Sequence, residues 1–222
     1  MKILGICLFF ILLISCVNGQ NTNSITPCIE KINLLPLYGN VEKCSEQLEA
    51  DKRFLSYCDS NYPSRREAAK AHVGMGWNYA EKNDRDTATK RFNQAWLLDS
   101  LNADAYWGLG IIQGSKQLYE DAEKLFQKSL SLNANNDKVW YCLAVNNKEK
   151  YANNDSEEHK KERIQYLEKA LEINRNLYPA IEMLRKEGEG GSDVTFGPTE
   201  NKSKSQITKN SGGTVSIIIS EP

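Results

Sequence analysis

The residues in this chain that could do chemistry are few and poorly placed for it. Of its two histidines, His72 falls in an apolar run and His159 lies among Glu157, Glu158, Lys160 and Lys161, on what should be a solvated helix face. Neither has a nucleophile at a motif spacing, and the sequence contains no GxSxG, HExxH or phosphate-cradling glycine loop. The acidic residues are scattered and do not form the carboxylate pair that glycoside hydrolysis needs. No CxxC or Cys/His spacing suits zinc. The expectation is a protein that is not an enzyme and uses no cofactor or metal. A net charge of -1 and the lack of a basic stripe also exclude general attraction to nucleic acid. The dense feature is aromatic instead. KRFNQAWLLDSLNADAYWGLG, residues 90–110, packs two tryptophans, a tyrosine and a pair of glycines into one stretch.

The chain opens on MKILGICLFFILLISCVNG, in which Lys2 precedes an apolar run from Ile3 to Ile14, too short to span a bilayer. Residues 1–19 therefore read as a secretory signal. Within it, Leu13-Ile14-Ser15-Cys16 resembles the bacterial lipobox, at 13–16. That resemblance implies a mature start at an acylated Cys16, and hence an outer-membrane lipoprotein facing the periplasm. The other reading is cleavage after Val17-Asn18-Gly19, which releases a secreted soluble protein. Both export the chain to a compartment that permits disulfides. Past the leader stand Cys28, Cys44, Cys58 and Cys142. Ser45 to Tyr57 reads as helical, which separates Cys44 from Cys58 by roughly 20 Å, beyond a disulfide's reach. Bridging of Cys28 to Cys44, bridging of Cys28 to Cys58, and cysteines that simply pack as small hydrophobes all stay open.

A period of 34 residues organises the middle of the chain. His72, Tyr106 and Trp140 keep it, as do Met75, Leu109 and Leu143, and Gly76, Gly110 and Ala144. Further on, Ala88 and Ala122, Phe92 and Phe126, Ala95 and Ser129, and Leu98 and Leu132 keep the same interval. Apolar positions within each unit recur every three or four residues over Ala69–Glu81 and Asp86–Leu98, so each unit is a pair of amphipathic helices. The glycines and alanines let paired helices approach, and Phe92 and Phe126 fill the space between units. This pattern resembles the tetratricopeptide repeat: Ala105-Tyr106-Trp107-Gly108-Leu109-Gly110, then Ala122 and Phe126, follow its W-x2-L-G-x2-Y and A-x3-F signature.

The resemblance implies an all-α fold, a right-handed α-solenoid of about three helix-turn-helix repeats at 69–102, 103–136 and 137–177, with a capping helix over 178–186. The repeat domain spans 64–187. Residues 20–63 form an N-terminal segment whose helix caps the first unit through Leu48, Leu55 and Cys58. The apolar INLLPLYG, residues 32–39, is expected to lie on that cap. Pro63-Ser64-Arg65-Arg66-Glu67 supplies a break and a capping box. The proline usual at the end of the second helix is replaced by Ser100, Ala134 and Arg175, so the turns should rely on Asn102, Asn133 and Asn136. The second helix of the third unit falls 41 residues after its counterpart, which places seven extra residues near YANNDSE, 151–157, before a Ser156 cap. From 188 to 222 the composition turns to Gly, Ser, Thr, Asn and Lys and should be disordered. Its closing TVSIII is β-prone.

A helical stack offers a concave surface lined by the first helix of each unit, and in the tetratricopeptide family this face grips a peptide or a partner helix. Helical spacing places Gly74, Ala80, Glu81, Asp104, Gly108, Gly114, Ser115, Lys138, Cys142 and Glu149 on it, and the residues assigned as its binding surface are Lys70, Val73, Trp77, Trp107, Ile111, Tyr141, Val145 and Lys148. Trp77, Trp107 and Tyr141 are expected anchors, with Trp107 an exposed indole, and Lys70 and Lys148 orient the ligand at the rim. Val73 and Trp77 stand where some family members place the Lys and Asn that clamp a terminal carboxylate, which disfavours an EEVD-type ligand. The function expected is a protein-interaction module, anchored to the membrane through Cys16, that helps assemble an envelope complex. The alternatives are a self-associating structural protein that forms homo-oligomers, or an accessory subunit of a cell-wall enzyme.

Overall fold

A computed structural model of the chain describes residues 26–188, together with 207–209 and 215–217. The leader, with its lipobox and Cys16, lies outside the described residues. Eight helices follow one another among the described residues: α1 (Ser45–Asn61), α2 (Arg65–Glu81), α3 (Arg85–Leu98), α4 (Ala103–Ser115), α5 (Tyr119–Leu132), α6 (Asp137–Lys150), α7 (Glu157–Ile173) and α8 (Tyr178–Gly188). None of them is long and apolar enough to cross a membrane. Consecutive helices pack as hairpins, α2 on α3, α4 on α5 and α6 on α7, and each hairpin stacks on the next. The result is an all-α solenoid of three helical pairs, with α1 before it and α8 after it. In the tail, β1 (Ile207–Lys209) pairs antiparallel with β2 (Val215–Ile217), Ile207 opposite Ile217. The expectation of a tail without structure is corrected at these two strands, where the β-prone end finds a partner within the tail itself.

The repeat spacing is set by aromatic rings seated against glycines. Phe92 is fully buried, and a Cβ at either Gly76 or Gly108 would overlap its ring. One unit later, a Cβ at Gly110 would stand 2.6 Å from Phe126 Cε1. The turns between units repeat as faithfully. Asp99, Asn133 and Asn174 end α3, α5 and α7, and each side-chain oxygen accepts the backbone N–H two residues on, at 3.0, 3.3 and 3.1 Å. Asn102 and Asn136 then cap α4 and α6 by accepting the N–H of Ala105 and Val139. A second clip closes the same turns where the usual proline is missing. Tyr106 Oη donates to Ser100 O at 3.1 Å, and Trp140 Nε1 donates to Ala134 O at 3.0 Å.

His72, in the same column, is too short for that clip. It is buried, its Nδ1 donates to Ala68 O at 2.9 Å, and Phe54 of α1 meets it edge-on at 5.2 Å. The histidine is therefore a packing residue. His159 is half-buried, not solvated: its ring stacks on Tyr151, and its Nδ1 accepts the N–H of Ser156, which caps α7.

The N-terminal segment settles one open alternative and departs from expectation in two ways. Cys28 is bridged to Cys44, leaving Cys58 buried and Cys142 half-buried as free thiols. INLLPLYG packs chiefly on α3, through its two 3-10 turns, rather than on the cap helix. The reason is Asn93, fully buried, whose amide donates to the carbonyls of Asn33 and Leu35 and accepts the N–H of Leu37 at 2.8 Å. These bonds hold Leu37 and Tyr38 in left-handed conformations that side-chain-bearing residues otherwise avoid. Lastly, Leu48 is exposed and only Cys58 of the expected cap stripe is buried, with Leu55 half-buried. At the start of α2, Ser64 accepts the N–H of Glu67, but the capping box is not completed, because Glu67 pairs instead with Lys70 at 2.8 Å.

The seven extra residues of the third unit are shared out. α6 is one residue longer than α4, α7 three longer than α5, and the loop 151–156 three longer than 116–118. That loop is held by Arg163, which is only 1% exposed. Its guanidinium donates to both carboxylate oxygens of Asp155 (3.1 and 2.7 Å), to Glu187 of α8 (2.7 Å) and to Asn147 of α6 (3.0 Å). Burial alone would favour loss of its proton, but the bonds from Asp155 and Glu187 outweigh that and hold it above the ordinary guanidinium value.

Two predictions follow from these packings. Arg163→Met leaves the buried Glu187 with only the longer, half-exposed contact to Lys148 and is expected to cost about 3 kcal/mol in urea unfolding, most of it recovered when Glu187→Met is added. For His72, burial lowers the imidazole's proton affinity in the fold. The unfolded chain binds a proton near pH 6.5, so this contribution is intact above about pH 6.5 and is lost as pH falls. Replacing His72 by Tyr, the residue of the next repeat, is expected to flatten the fall in urea midpoint between about pH 7 and pH 5.

Candidate functional site

The inner face of the stack is built by α2, α4 and α6, and two columns along it decide its shape. Residues 73, 107 and 141 form one, residues 77, 111 and 145 the other. At the junction of the first two units, both contributors are tryptophans. Trp77 lies against Trp107 with ring centroids 4.6 Å apart, and Trp77 also meets Phe92 edge-on at 5.0 Å. The two indoles fill the junction.

One repeat later the same pair of positions holds Ile111 and Tyr141. These side chains do not close the gap, and a pocket of about 390 Å³ opens between α4 and α6. Ile111, Gly114 and Ser115 line it from α4, Tyr141, Cys142, Val145, Asn146 and Glu149 from α6, and Tyr119 and Phe126 from α5. Its volume sits at the small end of the range for ligand pockets. The wall is apolar apart from Ser115, Asn146 and Glu149. Asn146 donates through Nδ2 to Tyr119 O at 2.9 Å, while its Oδ1 is buried without a partner.

The residues assigned to the face from sequence thus divide. Ile111, Tyr141 and Val145 converge on the pocket. Trp77 and Trp107 sit next to it as a packed pair, and Trp107 is half-buried with its Nε1 enclosed beside the Cys142 thiol, which corrects the expectation of an exposed indole. Lys138 Nζ stands 6.0 Å from the Trp107 ring centroid. Val73 is buried in the core shared by the first two units. The two rim lysines are engaged: Lys70 pairs with Glu67 at 2.8 Å, and Lys148 with Glu187 at 3.6 Å. Neither lines the pocket.

Gly114, Ser115, Cys142 and Glu149, which helical spacing places on the same face, complete the pocket together with Tyr119, Phe126 and Asn146, which it does not. The signal that could have found them is the change from Trp77 to Ile111 in one column, beside the change from Trp107 to Tyr141 in the other. The electrostatics suit apolar contact more than reaction. Burial pushes the Cys142 thiol up to about 11, only partly opposed by the Trp107 indole, so at neutral pH it is a protonated and weak nucleophile. The Tyr141 phenol is raised as well, by burial and then by the Cys142 beside it.

With this geometry in place, relatives can be compared. The tetratricopeptide repeat family model matches residues 103–136 and 154–177, which are the second unit and the second helix of the third with the loop before it. No curated protein matches the sequence. Among solved structures, an O-GlcNAc transferase mutant of Thermobaculum terrenum is similar at 17% identity and a TM-score of 0.50. That likeness covers 60% of this chain and 25% of the transferase. The first tetratricopeptide domain of Spaghetti, bound to the HSP90 peptide SRMEEVD, is 17% identical with a TM-score of 0.49, covering 56% of this chain and 94% of that one. YrrB, described as having an unusual peptide-binding site, is 24% identical with a TM-score of 0.47, covering 62% and 66%. At 17% identity the likeness to the transferase speaks to the fold alone. The family model thus identifies tetratricopeptide repeats at 103–136 and 154–177, and the helical columns carry the same register back to His72.

Proposed function

We propose that this protein is a non-enzymatic interaction module, exported and lipid-anchored, whose concave face docks a protein partner and so helps assemble a complex in the cell envelope. The observation that carries the reading is the apolar pocket between α4 and α6, framed by Ile111, Tyr141 and Val145. An aromatic and two branched aliphatic residues around a cleft, next to packed indoles, have the composition of an interface hot spot. Export is supported by the signal-like run at 1–19 and by the Cys28–Cys44 bridge, since such bridges persist in oxidising compartments. The anchor rests on Leu13-Ile14-Ser15-Cys16, and with it an outer-membrane position facing the periplasm.

A second reading, self-association, has one observation in its favour. Ile173 and Tyr178 are 39% and 68% exposed where α7 gives way to α8 at the open end of the stack. End-to-end contact there would make the molar mass rise with concentration, whereas a constant monomer mass removes this reading.

Ile111→Trp restores at the second junction the indole that fills the first. It is expected to weaken partner recovery from envelope extract by about thirtyfold, equivalent to about 2 kcal/mol, with helicity by circular dichroism unchanged. Undiminished recovery would remove the pocket from the interface. Trp107→Ala is a poorer probe, because it also unpacks Trp77 and should lower stability. Cys16→Ser is expected to shift the mature protein from the membrane to the soluble fraction and to remove the acyl mass.

A further inference from the structure

The charged residues at the mouth of the pocket say more about what enters it. The last turn of α6 reads Lys148-Glu149-Lys150, and its three charges have different fates. Lys148 is held by Glu187 of α8 at 3.6 Å. Lys150 is held by Glu120 and Glu123 of α5, at 3.6 and 3.1 Å. Glu149, between them, is exposed and has no ion pair among the described residues. It is also the one charged side chain that lines the pocket. Both lysines that could have neutralised it are committed to other carboxylates.

The backbone adds to the same sign. α4 ends at Ser115 and α6 at Lys150, so the C-terminal ends of both helices meet at this mouth, while the positive N-terminus of α5, which reaches it at Tyr119, is offset by Glu120 and Asp121 in its own first turn. Helix C-termini carry partial negative charge and favour cations. A ligand group placed there meets a free carboxylate and two negative helix ends around an apolar cavity. An acidic ligand would be repelled.

We infer that the pocket takes an extended peptide segment in which one bulky aliphatic or aromatic residue is adjacent to a lysine or arginine, the apolar side chain entering between Ile111, Tyr141 and Val145 and the cation meeting Glu149. This rests on the docking function proposed above and names the chemistry of its partner. The two parts contribute unequally. Burying the apolar side chain supplies most of the binding, as contacts in desolvated pockets do. The ion pair is solvent-exposed, so it supplies selectivity of about fivefold. Closely spaced apolar and cationic groups are therefore required together, since neither a polar basic peptide nor an acidic apolar one satisfies both halves of the site.

The test uses the mature full-length protein and a bead-displayed library of random nonapeptides. Wild-type protein is expected to enrich sequences with Leu, Ile, Met or Phe within two positions of Lys or Arg, and Ile111→Trp protein is expected to enrich none of them. Glu149→Lys protein is expected to keep the apolar requirement and shift the neighbouring preference to Asp or Glu. Val145→Phe serves as a second pocket-filling variant should Ile111→Trp lose helicity. If apolar peptides are enriched without a basic neighbour, or if Glu149→Lys leaves the preference unchanged, the inference fails while the docking pocket stands. If wild-type enrichment does not exceed that of folded pocket-filled variants, the pocket is no peptide site and both fail.

Discussion

Phe92 sits where two units of the stack meet, and its ring needs a flat bed on both sides. Gly76 supplies one and Gly108 the other, and any side chain at either position would occupy the space of the ring. This close approach fixes how far apart α2 and α4 lie. Interiors pack at crystal-like density, so the spacing leaves little slack for neighbouring positions. Trp77 and Trp107 then fill what Phe92 leaves open, with Trp77 in contact with both rings. At the next junction Phe126 still has Gly110 on one side, but Cys142 replaces the glycine that would correspond to Gly108. The same backbone register then carries a smaller pair, Ile111 and Tyr141, and the shortfall in volume is the pocket. Its position follows from the difference between two otherwise equivalent junctions.

Much of this architecture was legible because repeat proteins write each structural decision several times. The glycine and phenylalanine columns, the Asx turns at 34-residue spacing and the displaced third unit could all be read as periodicity. What periodicity does not carry is the fate of groups that occur once. Asn93 has no counterpart of its own kind one repeat later, where Gln127 stands, and nothing local marks it as the residue that would receive the backbone of a segment some sixty positions earlier. Arg163 reads as one more charge in EEHKKER, a string that suggests a solvated face, yet it is buried in a network with Asp155, Asn147 and Glu187.

The inner face shows the same limit from the other side. Helical spacing placed Trp107 on that face, and spacing alone could not say whether its indole pointed into water or against a neighbour. The neighbour is Trp77, from the other column and the preceding unit. A face that reads as a row of aromatic anchors is in fact two states of one junction, filled at Trp77 and Trp107 and open at Ile111 and Tyr141. The difference arises from pairwise volume, which a residue-by-residue assignment of faces does not contain.

The buried charges of the third unit bear directly on the open junction. Tyr141 and Val145, which line the pocket, also pack against the core formed with Leu184 and Ile181 of α8. The position of α8 is set in turn by Glu187, through Arg163 to the extended loop and through Lys148 to α6 itself. An apolar cluster alone would let α8 slide along α6 at little cost, because hydrophobic contact has no direction. A directional charge-assisted hydrogen bond from Arg163 and a longer ion pair with Lys148, both at its last turn, restrict that freedom. The same commitment of Lys148 to Glu187 keeps it from neutralising Glu149. The residues that fix the far wall of the pocket therefore also leave its mouth negatively charged, so the shape of the site and its charge have a common structural origin.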